Sequence, residues 1–336
     1  MNSSNFSLII CTFMRPKPLL DLLHSINEQT FYPDEILIID ASLNDFTEEV
    51  LTGTYFKNLI YYKVGIEDRG LTKQRNFGIQ KVSQDADIIC FLDDDTVLDP
   101  HYFGEILKTY TVFPEALGVG GYISNEVQWE RVDENYKPTR KDFCYDGWKR
   151  EDGSRFVFRK RMGLDADQPP GFLPEFSHGR SISFLPPSGA IYKVEQLMGG
   201  VSSFRKKVFE SFRFSTYFEG YGLYEDADFT LRLSKRGLLY VNTKATLSHF
   251  HAISGRPNQF LYGKMVVRNG WYVWRVKYPN PRYPAKLKWH SITLFLSFIR
   301  FSNFFTTSRK LGSLTEFLGR LFGWFSLFYD TPQLKE

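Results

Sequence analysis

Three consecutive carboxylates, Asp93-Asp94-Asp95, end the apolar run Ile88-Ile89-Cys90-Phe91-Leu92. A buried strand that stops in clustered acids delivers them to the rim of a sheet. Oxygen ligands crowded there suit a hard divalent cation such as Mg²⁺ or Mn²⁺. A second acidic group, Glu225-Asp226-Ala227-Asp228, opens a helical pattern just after Gly220 and Gly222. Acids in a first helical turn complement the helix dipole; here the glycines would also admit a substrate and leave Asp226 at a site edge. A third group, His249-Phe250-His251, puts two imidazoles on one face of a strand, and either can supply a metal ligand. Two more strand-like runs end in polar residues, one at Thr12, leading to Arg15, and one at Asp40. An Asp can accept from a base N–H and an Arg can hold diphosphate oxygens bidentately, so a nucleotide suits this set.

The elements that must position these groups alternate. Phe6–Phe13, Glu35–Asp40, Leu59–Val64 and Asp87–Leu92 read as buried strands. Between and after them, Leu19–Gln29, Leu71–Val82 and Pro100–Val112 have helical spacing. Strands alternating with helices imply an α/β fold with a largely parallel sheet, in which polar strand ends lie along one edge and line one cleft. Residues 125–180 break the rhythm and read as an irregular insertion. Regular signals resume with Gly199–Phe209, a helix over Tyr224–Arg236 closed by Gly237, and a strand-like segment over Leu238–His251.

Composition divides the chain. Residues 256–336 hold 13 Lys/Arg against 3 Asp/Glu, leaving 29 against 35 in the rest, so an acidic body carries a basic, aromatic region. Leu314, Phe317, Leu318, Leu321, Phe325 and Phe328 form a helical stripe there, near Lys286, Lys288, Arg309, Lys310 and Arg320. That pattern predicts helices lying on an anionic membrane surface, with packing on the body or a homodimer as the competing use. The run Ile292–Phe305 is too short to span a bilayer of about 20 residues. Three scattered cysteines indicate a reducing compartment, and Met1–Asn5 lacks the start of a signal peptide. The expected location is cytoplasmic, peripheral on the cytoplasmic face of a membrane. No G-x-x-x-x-G-K-[ST] and no G-x-G-x-x-G after the first strand occurs, which disfavours Walker-type phosphoryl transfer and dinucleotide redox chemistry. No nucleic-acid module is present, so no nucleic-acid partner is expected.

In order and spacing, LIICTFMRP, ILIIDAS, GLTKQRNFGI, CFLDDDTVLDP, GYGLYEDADFTLRLSKRG and SHFHAISGR resemble the family 2 glycosyltransferases of GT-A fold, over about residues 6–255. The resemblance implies a mixed, mostly parallel sheet flanked by helices. A catalytic domain would span 1–255, with a helical C-terminal region over 256–336. It implies that Asp40 contacts the nucleotide base and Arg75 sits near base or diphosphate. Thr12 and Arg15 would belong to the same donor site. Asp93 and Asp94 would contact the ribose and donor sugar, and Asp95 would bind Mn²⁺ or Mg²⁺ with His249 or His251. Asp226 would be the general base, with Glu225 beside it near the acceptor as a second catalytic residue.

The reaction expected is an inverting transfer from a nucleoside-diphosphate sugar to a hydroxyl of a glycan or lipid-linked acceptor. Charge that builds on the leaving diphosphate is offset by the cation, and the base takes the acceptor proton. Two alternatives differ in class: a sugar-phosphate nucleotidyltransferase, and a catalytically inactive binding protein at a membrane surface. The first usually opens with a Gly-rich loop, absent from Thr12-Phe13-Met14-Arg15, and the second does not account for the full set of carboxylates.

Overall fold

The computed structural model describes residues 5–218, 220–251, 258–308 and 310–334, so the end of the last motif (252–256) and Arg309 lie outside the described residues. The chain forms two compact units: Met1–Gln128 with Leu185–Gly255, and Trp129–Phe184 with Arg256–Glu336. In chain order, the first unit carries β1 (Phe6–Thr12), α1 (Pro16–Asn27), β2 (Glu35–Asp40), α2 (Phe46–Thr52) and β3 (Leu59–Lys63). It continues with α3 (Leu71–Lys81), β4 (Ile88–Asp93), β5 (Thr96–Leu98), α4 (Tyr102–Val112) and β6 (Ala116–Ile123). The second unit begins with β7 (Glu130–Arg131), β8 (Asp142–Tyr145), β9 (Trp148–Glu151) and α5 (Ser154–Arg161). The first then resumes with β10 (Ile191–Val194), β11 (Val201–Arg205), α6 (Glu225–Ser234) and β12 (Leu238–His249). The second ends in α7 (Gln259–Lys277), α8 (Tyr283–Thr306) and α9 (Lys310–Ser326).

The apolar runs of β1, β2 and β4 are buried almost throughout, as expected of strands covered on both faces. The main sheet runs β10-β12-β6-β11-β4-β1-β2-β3, with β5 paired to β12. The half β3-β2-β1-β4 is parallel, whereas β11 enters antiparallel between β4 and β6. The sheet is therefore mixed, with its parallel part where the helix–strand alternation is clean. Register fixes the site edge: Thr12 lies opposite Asp40, and Cys11 opposite Asp93. Helix α1 starts with proline in its first turn and buries Leu19, Leu22, Leu23 and Ile26, the face its spacing predicts. In α3, Gln74 donates to the carbonyls of Thr12 (3.1 Å) and Ile39 (2.8 Å), stitching the helix to the ends of β1 and β2.

Within residues 125–180, the second unit has a small antiparallel sheet, β7-β9-β8, followed by α5. Its interior includes a buried Arg180. Asp152 holds it bidentately at 2.7 and 3.0 Å, Asp165 adds contacts at 3.0 Å, and the guanidinium packs on Phe143, Phe156 and Phe184. Trp274 and Trp289 stack at 5.3 Å with planes 3° apart, joining α7 to α8. Helices α7 and α9 meet through glycines: a methyl added at Gly263, Gly319 or Gly323 would strike backbone of the other helix. The consequence is a helix that buries its small residues with Phe317 and exposes several of its large ones. The buried face of α9 is Ser313, Glu316, Phe317, Gly319, Gly323 and Ser326, while Leu318, Phe322 and Phe325 are exposed. Of the apolar stripe read from the sequence, Phe317 points inward, and Leu318, Phe325 and Phe328 face solvent. Among the described residues no helix is long and apolar enough to cross a membrane.

Candidate active site

The first unit brings its polar strand ends together. Thr12 donates from its hydroxyl to Asp94 Oδ2 (2.7 Å), and Arg15 donates to Asp94 Oδ1 (3.0 Å) and lies 3.5 Å from Asp95. Asp94 is thus turned back beneath the edge, and burial pushes its carboxyl up to about 6 against the pull of Arg15 and Thr12. Asp40, at the end of β2, is fully buried and accepts from the Ser42 N–H (2.8 Å) and the Tyr61 hydroxyl (2.9 Å). Ser42 in turn accepts from the N–H of Met14, a residue held at φ 58°, so the loop after β1 is pinned to the loop after β2.

Strand β4 ends at Asp93, and the turn that follows brings Asp95 beside Asp93. One oxygen of each and a nitrogen of His249 all lie within 4.8 Å of one another, so the three could hold a metal ion. His249 Nε2 is 3.0 Å from Asp95 Oδ1, and its buried Nδ1 lies 3.4 Å from Glu126 without forming a hydrogen bond. Burial resists a charge on this imidazole, but the Asp95 hydrogen bond and the Glu126 carboxylate outweigh it and push the group up to about 10. The carboxylates of Asp95 and Glu126 around His249 favour positive charge at this position. His251 does not join Asp93 and Asp95; it lies 2.8 Å from Glu126 and groups with Glu126 and His249.

Helix α6 separates its three acids by environment. Asp228 is buried and paired with Arg232 one turn on, at 2.7 Å, a structural pair. Glu225 is buried and ion-paired with Arg75 of α3, whose other nitrogen lies 3.6 Å from Asp93. Burial drives the Glu225 carboxyl upward, while Arg75 opposes that shift. Behind Arg75 an aromatic layer of Phe91 and Phe214 lies at 5.8 and 5.2 Å. Asp226 is half-buried, and its carboxylate accepts from the N–H groups of Gly199 (3.2 Å) and Ala227 (2.7 Å). Burial raises its carboxyl while those two donors lower it. The residue before this helix, Tyr224, sits at φ 69°, an unfavourable conformation for a bulky side chain and one that recurs beside functional groups.

Thr12, Arg15, Asp94, Asp93, Asp95 and His249 therefore meet along one edge, and Arg75 links Asp93 to Glu225. The sequence reading passed over two contributors. Glu126 has no local signal, being one acid in the polar stretch that follows β6. Gly199 and Gly200 supply space: a methyl on Gly199 would come within 2.6 Å of Arg75, and one on Gly200 would overlap the Asp93 carboxylate. A Gly-Gly pair immediately before a strand is the signal that could have found them.

The chain was compared with known proteins. The family model described as glycosyl transferase family 2 matches residues 7–195. An O-antigen chain rhamnosyltransferase of Salmonella typhimurium is 33% identical over 92 residues, 27% of this chain and 28% of that protein. A glucosyl-dolichyl phosphate glucuronosyltransferase of Haloferax volcanii is 24% identical over 120 residues, 35% of this chain and 37% of that protein. The chain thus spans about a quarter to a half of the length of the curated relatives it matches. Among solved structures, GalNAc-T7 with UDP, GalNAc and Mn²⁺ aligns with a TM-score of 0.52 at 13% identity, over 87% of this chain and 55% of that one. That likeness supports a GT-A-like fold for the mixed sheet described above. With the family match extending over more than half of its residues, the chain belongs to glycosyl transferase family 2.

Proposed function

We propose that this family member moves a sugar from a nucleoside-diphosphate donor to an acceptor hydroxyl, in one in-line displacement that inverts the anomeric centre. The observation that carries the reading is the convergence of Asp93, Asp95 and His249 within 4.8 Å at the strand-end edge. Two carboxylates and an imidazole suit Mn²⁺ or Mg²⁺. When bound, such an ion would offset negative charge on the leaving diphosphate. GalNAc-T7, the fold neighbour, was solved with UDP and Mn²⁺.

The protein's own groups take the remaining roles. Asp40, fully buried, orders the loop after β2 that would line the base site, through the Ser42 N–H and the Tyr61 hydroxyl. Thr12 and Arg15 hold Asp94 in place for the ribose and donor sugar. Arg75, engaged by two carboxylates, positions Asp93 and Glu225. Asp226, oriented by two backbone N–H groups, takes the acceptor proton, and its partial burial strengthens it as a base. Glu225, beside it, is too deeply enclosed to meet the acceptor and serves to hold Arg75.

A glycan or lipid-linked acceptor is consistent with the relatives, named for O-antigen chain and dolichyl phosphate substrates. The exposed phenylalanines of α9 in a basic region support docking on an anionic membrane, the acceptor's own surface. Asp226→Asn tests the mechanism. It should keep nucleotide binding, read by thermal stabilisation with Mn²⁺, and lose transfer by about 10²–10⁴. Turnover near wild type would remove Asp226 from the role of base, and transfer that survives EDTA would remove the cation.

A further inference from the structure

We propose that Glu126, His249 and His251 form a second metal position, suited to Zn²⁺, that excludes the donor-site ion because both positions draw on His249. The exclusion rests on the reading of Asp93, Asp95 and His249 given above; the second position itself does not.

The turn after β6 is built to present Glu126. Asn125 donates to the His249 carbonyl (3.0 Å) and accepts from the His249 N–H (3.0 Å), a reciprocal clamp between this turn and the end of β12. Glu126 is thereby delivered across from both imidazoles. Its Oε1 lies 2.8 Å from His251 Nε2 and 3.4 Å from His249 Nδ1. The two rings are 4.1 Å apart, and ligand atoms of all three residues fall within 4.8 Å of one another. His251 adopts φ 46° in this arrangement, a conformation a non-glycine residue seldom takes without a reason. His249 Nδ1 is buried and faces Glu126 at 3.4 Å outside hydrogen-bond geometry, so an ion between them would engage it.

The ligand sets differ in kind. Two imidazoles and a carboxylate, with a fourth position open, are a zinc-type set. Two carboxylates and one imidazole are richer in oxygen and suit Mn²⁺ or Mg²⁺. A neutral imidazole has one lone pair. If Nε2 binds an ion together with Asp95, then Nδ1 carries the proton and faces Glu126. If Nδ1 binds an ion together with Glu126 and His251, then Nε2 carries the proton and faces Asp95. As a neutral imidazole, His249 serves one ion at a time, so Zn²⁺ at the second position strips a ligand from the first.

The test uses the full chain freed of metal. Zn²⁺ affinity is read by competition with a chromophoric chelator, and free Mn²⁺ by electron paramagnetic resonance, with thermal unfolding as a check on the fold. Wild type should bind Zn²⁺ and release bound Mn²⁺ as it does so. Glu126→Gln and His251→Ala should each weaken Zn²⁺ about 10–100-fold and require correspondingly more Zn²⁺ to release Mn²⁺. Unchanged Zn²⁺ affinity in both variants overturns the second position. Zn²⁺ that binds while Mn²⁺ stays in place overturns the exclusion. Wild type that never takes up Mn²⁺ contradicts the donor-ion reading instead, and the Zn²⁺ affinities of the two variants then still decide the second position.

Discussion

Arg75 of α3 and Glu225 of α6 form a buried ion pair between residues 150 positions apart, and the same guanidinium reaches to within 3.6 Å of Asp93. One cation thus braces the acid at the end of β4 and the helix that carries Asp226. Removing it strands a buried carboxylate, so Arg75→Ala should cost about 3–5 kcal/mol in urea unfolding. Arg75→Lys should recover only part of this, because a point charge cannot fork between two acids. A loss within about 0.5 kcal/mol for Arg75→Ala would show that Glu225 does not depend on the pair.

Gly200 leaves room for the Asp93 carboxylate. Its backbone does not need glycine, but a methyl at that place would overlap the acid, which is partly exposed and can swing aside. Gly200→Ala should therefore keep the fold and weaken Mn²⁺ binding by about tenfold or more, measured by calorimetry. Unaltered Mn²⁺ affinity would show that Asp93 is not a ligand.

His178 of the second unit makes a pH prediction. Burial, aided by Arg159, lowers its imidazole from 6.5 to about 3, and its Nε2 lies 3.1 Å from the Thr293 hydroxyl. The unfolded chain takes up the proton near 6.5 and the folded chain resists it. The stabilisation is complete above 6.5 and is lost as pH falls from there toward about 3. His178→Gln should flatten this acid limb in melting temperature measured against pH. An identical limb in the variant would assign it to other groups.

Phe325 and Phe328 are 57% and 67% exposed. Replacing both by serine should leave stability within about 0.5 kcal/mol, as for other surface sites, and reduce flotation with anionic vesicles. A shift from dimer to monomer in gel filtration, with flotation unchanged, would assign the face to a second copy.

Much of this arrangement is legible in sequence because it rests on local signals. The runs that become β1, β2 and β4 are apolar and end in polar residues, so Thr12, Asp40 and Asp93 fall on the edge where register puts them. The sequence reading set Asp93 with Asp94, whereas the turn after β4 brings Asp93 beside Asp95. What sequence did not reveal depends on distant pairings. Glu126 matters only because Asn125 clamps to His249, 124 residues away. The antiparallel entry of β11 between β4 and β6 follows from tertiary packing, and its preceding glycines acquire meaning only once Asp93 and Arg75 lie opposite. In α9 the hydrophobic pattern is plain, yet which face turns inward is decided by glycines that let α7 approach, an outcome contrary to the usual rule that the larger apolar side chains are buried.

That reversal bears on how the protein behaves in the hand. If the exposed phenylalanines of α9 meet a membrane as proposed, the chain would partition between phases. In a crude extract, it should divide between pellet and supernatant according to the detergent present. Assays of clarified lysate would then count only a fraction of the enzyme made.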